Sequence, residues 1–176
     1  MQTATMERTE KGRVATSEGW FVVNARDCEW IHHDKFGAAC NFEGRTKFPE
    51  LGINVRVLMP GQPNALYHRE EQQEDFLVIS GECLAIVEEQ EISMKAWDFL
   101  HCPPGTRHVF VGAGEGPCVV VMVGRRGGGV RGLHYPVSEV AARHGASTSQ
   151  ETDAPQVAYG PYGMPGTVSG ATMPLT

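Results

Sequence analysis

The sequence lacks any long apolar run and any block of basic residues. No stretch of the 176 residues approaches the roughly 18 apolar side chains that a membrane-spanning helix needs. The formal net charge is -6, and the densest basic group is the pair Arg125 and Arg126. Both features argue against a membrane or a nucleic acid as partner. Because the N-terminus stays polar through Ser17, without the apolar core of a secretion signal, we expect a cytoplasmic protein.

Paired cysteines are also missing. The chain has 5 cysteines, an odd number, and none of them forms a Cys-x-x-Cys pair. This pattern is typical of neither a zinc knuckle nor a secreted disulfide framework. We expect free, mostly buried thiols in a reducing compartment. The glycine run 127–129 opens no predicted helix, so it is not typical of a phosphate-binding loop, and we expect a flexible exit from the fold there.

What the sequence does contain is a series of short apolar segments separated by Gly and Pro turns. The apolar fraction is 41%, and the length suits one domain. No helical segment interrupts the series, which favours an antiparallel sandwich or barrel over alternating strands and helices. The predicted all-β strands lie at residues 20–23, 38–42, 53–59, 75–79, 83–87, 99–102, 109–111 and 118–123.

The two ends of the chain differ in composition from this central part. Residues 1–17 are polar and aperiodic, and we expect a flexible N-terminal segment. A single barrel should occupy residues 18–135, because no internal repeat is present. A proline start and a glycine end predict one short helix over 136–145. Residues 146–176, rich in Gly, Pro, Ser and Thr, should form a tail that is either disordered or laid along a partner surface.

Two segments of the barrel carry residues suited to chemistry. In the first, 60–81, His68 and Glu70 are two residues apart, so on a strand both side chains leave the same face. Glu74 follows four residues later. In the second, 97–112, a Pro-Pro-Gly turn precedes His108, which opens an apolar strand.

These two segments resemble the paired motifs of the cupin family. The usual first motif has Gly, His-x-His, Glu and Gly, and this chain has Gly61, His68-Arg69-Glu70, Glu74 and Gly81. The usual second motif has Gly, Pro-x-Gly, His and Asn, and this chain has Trp97, Pro103-Pro104-Gly105, His108 and Gly112. The resemblance spans most of residues 52–123. It implies a single cupin double-stranded β-helix, or jelly-roll barrel, here with a short C-terminal helix.

The resemblance implies a metal centre formed by His68, Glu70, Glu74 and His108. Glu70 stands where the family motif has a second histidine, so it changes the ligand set itself. A nitrogen and oxygen set without thiolate suits one divalent transition metal, Fe, Mn, Zn, Ni or Co. If Glu70 turns away, two histidines and Glu74 remain, which is the facial triad of non-haem iron oxygenases. Glu70 is then either a ligand or a catalytic general base.

Each of these residues also has a plainer interpretation. The acidic residues near Glu70 could form a solvated turn with His68 on the surface, as in a cupin that has lost its metal. Phe76 shares strand parity with Glu74, and Phe110 shares it with His108. Both rings could therefore line the pocket, or they could belong to an ordinary core.

The resemblance favours a metal-binding cupin that acts as a small-molecule metalloenzyme of oxygenase type. The alternatives are a non-catalytic cupin that binds or senses a small ligand, and a metal-dependent isomerase or epimerase. We expect a small molecule as the binding partner and no organic cofactor. The resemblance also implies a homodimer, with the strands around Trp20 and Phe42 as the candidate contact.

Overall fold

Short strands with alternating side chains account for most of the regular structure. The computed structural model describes residues 2–126 and 132–175, so the glycine run 127–129 lies outside the described residues. The strands are β1 (Met6–Arg8), β2 (Arg13–Ala15), β3 (Glu29–His33), β4 (Gly37–Cys40), β5 (Leu51–Leu58), β6 (His68–Arg69), β7 (Glu74–Ser80), β8 (Glu82–Val87), β9 (Gln90–Lys95), β10 (Phe99–Cys102), β11 (Arg107–Ala113), β12 (Cys118–Arg125) and β13 (Gly166–Ser169). The α-helices are α1 (Glu139–Arg143) and α2 (Pro155–Ala158), and short 3-10 helices span Ala25–Asp27 and Gly170–Thr172.

Two antiparallel sheets face each other and form the barrel. The larger sheet has seven strands in the order β10-β7-β12-β5-β4-β3-β13, and the smaller has four in the order β6-β11-β8-β9. Strands β1 and β2 form a separate antiparallel hairpin. This arrangement confirms the predicted all-β fold.

The inward-facing side chains change from apolar to polar along the barrel. On β5, Leu58 lies in the central apolar cluster, whereas Asn54 and Arg56, which share its strand parity, line a cavity. On β7, Val78 belongs to the cluster and Glu74 to the cavity. One end of the barrel is therefore a packed core, and the other end is a polar pocket.

Segments from both chain ends cover the outer face of the larger sheet. Trp30 on β3 is fully buried there, and its Nε1 donates a hydrogen bond to the carbonyl oxygen of Ala25 at 2.9 Å. The tail supplies β13, which pairs antiparallel with β3. Val168 and Leu175 pack against the same apolar cluster. Residues 146–175, proposed as a disordered or partner-bound tail, thus lie along the barrel of their own chain.

The predicted strand and helix positions agree with the structure over the central barrel strands, but β3, β6, β9, β13 and α2 were not predicted. Residues 20–23 form no described strand, and Trp20 makes only an isolated bridge with Thr3. The segment 1–17, expected to be flexible, contains the β1–β2 hairpin. Strand β9 lies at the edge of its sheet, and its only apolar residues are Ile92 and Met94, an alternation too short to indicate a strand.

Helix α1 lies inside the predicted range 136–145. The Ser138 hydroxyl accepts a hydrogen bond from the backbone N–H of Ala141 at 3.0 Å, which caps the helix start. Ala141 is buried against Tyr67 and Ile86 on the outside of the smaller sheet. None of the helices in the described part of the chain has the length and apolarity to cross a bilayer. The five cysteines are free and buried.

Candidate metal centre

Three potential metal ligands from three strands converge at the polar end of the barrel. His68 on β6 lies directly opposite His108 on β11, and their ring centroids are 5.0 Å apart. Glu74 begins β7 on the facing sheet. One ligand atom from each of the three side chains lies within 4.8 Å of the others. The structure therefore brings together three of the four proposed ligands.

Backbone carbonyl groups fix the orientation of both imidazoles. Nδ1 of His68 lies 2.7 Å from the carbonyl oxygen of Leu66, and Nδ1 of His108 lies 3.1 Å from that of Thr106. A carbonyl oxygen can only accept, so Nδ1 carries the proton in each ring. The Nε2 lone pairs are then left free to face the cavity. Histidine ligands of protein metal sites are oriented by the same kind of second hydrogen bond.

Burial keeps both imidazoles neutral. It lowers the pKa of His68, and it lowers the pKa of His108 to about 3, with a further contribution from the neighbouring His68. Burial also raises the pKa of Glu74 to about 8, and the charge of Glu70 adds to that shift. The polar end of the barrel thus offers neutral nitrogen donors beside a carboxyl group that has no positive partner within residues 2–126 and 132–175.

The contact between Glu74 and His108 requires a shared positive species. Oε2 of Glu74 lies 3.3 Å from Nε2 of His108. With the proton on Nδ1, both of these atoms are acceptors, so only a proton or a cation makes the contact favourable. Ligand atoms about 2.1 Å from a metal and at ordinary bond angles lie roughly 3.0–3.4 Å apart. The Glu74–His108 distance already fits this range, and the wider spacings of the triad, up to 4.8 Å, would have to shorten around a bound ion.

Glu70 stands beside the triad rather than in it. Its Oε1 is 4.0 Å from Nε2 of His68, and its side chain is 35% exposed. It lines the same cavity as the triad. From this position Glu70 reaches the candidate centre either as a fourth ligand or as a base, so both roles proposed from the sequence stay open.

The two phenylalanines proposed for the pocket have different positions. Phe76 lines a cavity of about 510 Å³, and its ring centroid is 5.0 Å from that of His108. Phe110 is fully buried behind it, with the two phenyl centroids 4.7 Å apart. Phe76 is thus a wall of the cavity, whereas Phe110 supports that wall from the core.

Several cavity residues were not identified from the sequence. Asn54 and Arg56 face inward, whereas Val55 and Val57, which alternate with them on β5, belong to the apolar cluster on the other face of the sheet. Val55 and Val57 are apolar because they pack against Trp30 and its neighbours, which cover the outer face of the larger sheet. Tyr135 and Tyr159 also line the cavity. Tyr159 comes from the tail, where no sequence pattern indicates a contact with the barrel.

Comparison with known proteins identifies the fold of this region. The model of the cupin domain family matches residues 54–124. The structure is similar to the polyketide cyclase RemF from Streptomyces resistomycificus, with 13% identity, a TM-score of 0.53, and coverage of 61% of this chain and 80% of that chain. At that identity the likeness shows the fold alone. Comparison with curated proteins finds no match.

Two further similar structures are matched over a smaller part of their length. A sugar phosphate isomerase of the cupin superfamily from Silicibacter pomeroyi has 24% identity, a TM-score of 0.47, and coverage of 58% of this chain and 62% of that chain. A protein from Acidithiobacillus ferrooxidans has 24% identity, a TM-score of 0.42, and coverage of 44% and 51%. This chain therefore spans less than two thirds of either protein. The matched motifs, the paired antiparallel sheets and the cupin family match together show that residues 54–124 form a cupin domain within a jelly-roll barrel.

Proposed function

We propose that this cupin binds one divalent transition metal through His68, Glu74 and His108 and acts as a small-molecule metalloenzyme of oxygenase type. The observation that carries the proposal is the convergence of His68, Glu74 and His108 on one point of the cavity, with Glu74 Oε2 3.3 Å from His108 Nε2. Two imidazoles and one carboxylate form the facial set of non-haem iron oxygenases. A bound metal would supply Lewis acidity and coordination positions for dioxygen and substrate.

The residues of the chain would prepare the centre for this chemistry. The Leu66 and Thr106 carbonyl oxygens hold the imidazoles in the tautomer that can bind a cation. The ring of Phe76 shields one side of the centre from water. On the open side, Glu70 is close enough to take a proton from a substrate bound in the cavity.

The position of Glu70 also favours a second candidate function, a metal-dependent isomerase or epimerase. Such an enzyme needs a base beside the metal and no oxidant. Oxygen uptake by the Fe(II)-loaded protein with a panel of carbonyl compounds separates the two functions. Oxygen uptake in proportion to the amount of substrate supports the oxygenase. If deuterium from the solvent enters the substrate and no oxygen is taken up, the oxygenase is wrong and the isomerase or epimerase is supported.

Elemental analysis of protein purified without a polyhistidine tag tests the metal centre. We expect close to one equivalent of a transition metal in the wild type and a loss of most of it in His68→Ala and His108→Ala. His32→Ala is the matched control, because His32 lies on β3, outside the lining of the cavity, with a side chain that is 40% exposed. Full metal content in both site variants would refute the centre.

A further inference from the structure

Arg56 brings a positive charge into the same cavity as the candidate metal centre. It lies in the middle of β5, where it pairs across the sheet with Val120 on β12 and Ala39 on β4. Its side chain has the inward parity of Leu58 and lines the cavity with His68 and Glu74. An arginine at an inward position of a barrel strand is uncommon unless something pairs with its charge.

No partner for this guanidinium group is found within residues 2–126 and 132–175. Its Nε is buried without a hydrogen bond, and no carboxylate oxygen of these residues lies within 4.0 Å of it. Arg107 and Arg126, by contrast, each pair with a glutamate. Burial lowers the pKa of the Arg56 guanidinium, which reflects the cost of removing the charge from water. An external anion would offset that cost.

The polar groups around Arg56 are arranged to receive a ligand. Asn54, two residues earlier on the same face of β5, has a buried Oδ1 that also lacks a hydrogen bond among the described residues. Tyr159 accepts a hydrogen bond from the backbone N–H of Leu66 at 3.0 Å, which leaves its own hydroxyl proton available. Tyr135 packs edge-on against Tyr159 and forms an aromatic wall. Charge, hydrogen-bonding groups and an apolar surface therefore meet in one cavity.

We propose that Arg56 binds the carboxylate of a small organic acid and places the rest of that molecule against the metal centre. This inference rests on the proposed function, since it names the substrate class of the same site. When a divalent ion is bound, the ionised carboxylates of Glu70 and Glu74 balance its two charges. The guanidinium of Arg56 then gives the cavity a net charge of one positive unit. A single carboxylate neutralises that charge, and its two oxygens match the planar guanidinium. A phosphate dianion would exceed the positive charge and would lie near two glutamates.

Calorimetric titration of the Zn(II)-loaded and metal-free chain tests the carboxylate site. The probes are benzoate and isobutyrate, their neutral counterparts benzamide and isobutyramide, and methyl phosphate. We expect the acids to bind more tightly than the amides and the phosphate. Arg56→Met should weaken acid binding by at least about 30-fold, the loss expected when one partner of a buried charge pair is removed. Arg125→Met, at the exposed rim of the cavity, should change it by less than about threefold.

The folding of Arg56→Met provides an independent check. Methionine keeps most of the volume of the side chain and removes an unpaired buried charge, so the ligand-free variant should melt at or above the wild-type temperature. A clear drop in melting temperature would mean that Arg56 has a structural partner, and it would overturn the inference. Arg56→Lys, which keeps the charge without the planar fork, should bind the acids with intermediate affinity.

The remaining outcomes separate this inference from the proposed function. Equal acid binding by the wild type and Arg56→Met, tighter binding of methyl phosphate, or no acid binding up to about 50 mM would each overturn the carboxylate site. If the wild type holds one equivalent of metal but gives any of these results, the metal centre stands and the carboxylate site is wrong. If the wild type holds no metal but still binds benzoate through Arg56, the carboxylate site stands and the proposed metalloenzyme is wrong.

Discussion

The role of Glu74 can be tested by exchanging its carboxylate for an amide of the same shape. The Glu74 side chain is 16% exposed, and it has no positive partner among the described residues. Glu74→Gln should therefore cost the metal-free protein little stability, because it removes a carboxyl group whose ionisation burial already disfavours. The same exchange should weaken metal binding strongly, since an amide oxygen is a much poorer ligand than a carboxylate for these ions.

The size of the effect follows from the linkage between binding and folding. A metal present at 100 times its dissociation constant stabilises the native state by about 2.7 kcal/mol. For a chain of this size each kcal/mol shifts the melting temperature by about 2–4 °C, so the wild type should gain about 5–11 °C. If Gln weakens binding about 100-fold, a loss that changes to groups behind the ligands can already cause, the gain at the same metal concentration falls to about 0.4 kcal/mol. The shift then shrinks to about 1–2 °C.

Scanning calorimetry with and without added Zn(II) measures these shifts. Glu71→Gln is the matched control, because Glu71 is exposed, lies three residues before Glu74 and is outside the lining of the cavity. We expect this control to keep most of the wild-type shift. If Glu74→Gln keeps the full metal-induced shift, or if the metal-free variant is destabilised by several kcal/mol, the ligand role given to Glu74 is wrong.

Three further predictions concern stability, each measured by urea denaturation. Burial alone would raise the pKa of Glu43, but Lys47, the Phe48 amide and Arg126 outweigh it and hold that pKa below its usual value. This stabilisation is present above pH 4.5 and is lost as the pH falls through the lowered pKa of Glu43. In Glu43→Gln, the free energy of unfolding should therefore fall less steeply as the pH is lowered. Trp30→Ala should cost about 3–5 kcal/mol, because it empties a fully buried site. Gly81→Ala should cost more than Gly61→Ala: both have a positive φ, but only at Gly81 would the new Cβ lie 2.3 Å from a carbonyl oxygen, that of Pro117.

Each of these predictions has an outcome that contradicts it. An unchanged pH profile in Glu43→Gln would mean that the ion pairs of Glu43 do not stabilise the native state. A loss of under about 1 kcal/mol in Trp30→Ala would mean that β3 and the tail do not pack tightly on the barrel in solution. If Gly81→Ala and Gly61→Ala lose the same stability, the loss comes from the backbone conformation alone, and the contact with Pro117 contributes nothing.

The barrel could be predicted from the sequence because its central strands alternate strongly and end at Gly or Pro turns. The segment 75–79 became β7, and the segment 118–123 became β12. The paired motifs indicated which histidines and acids should share one end of the barrel. His68, Glu74 and His108 do lie together, since their strands start at the same end of the two sheets.

The parts that could not be predicted depend on contacts between distant segments. The alternation on β5 shows two faces, but it does not reveal that Trp30 and Val168 cover the apolar one. Without that cover, Arg56 would be expected to face water. Tyr159 enters the cavity only because the tail returns to the barrel, and the composition of the tail suggested disorder instead.

The polar end of the barrel contains an acidic and a basic side chain that the protein could have paired internally but keeps apart. Glu74 and Arg56 line one cavity, yet the described part of the chain forms no ion pair between them. Pairing them would lower the cost of burying each charge. Keeping them separate costs stability and leaves an acidic position for a cation beside two neutral imidazoles, with a basic position for an anion across the cavity. A cavity built only for packing would have lost these charges or joined them, whereas one built to hold a metal and an acidic substrate together needs both of them unpaired.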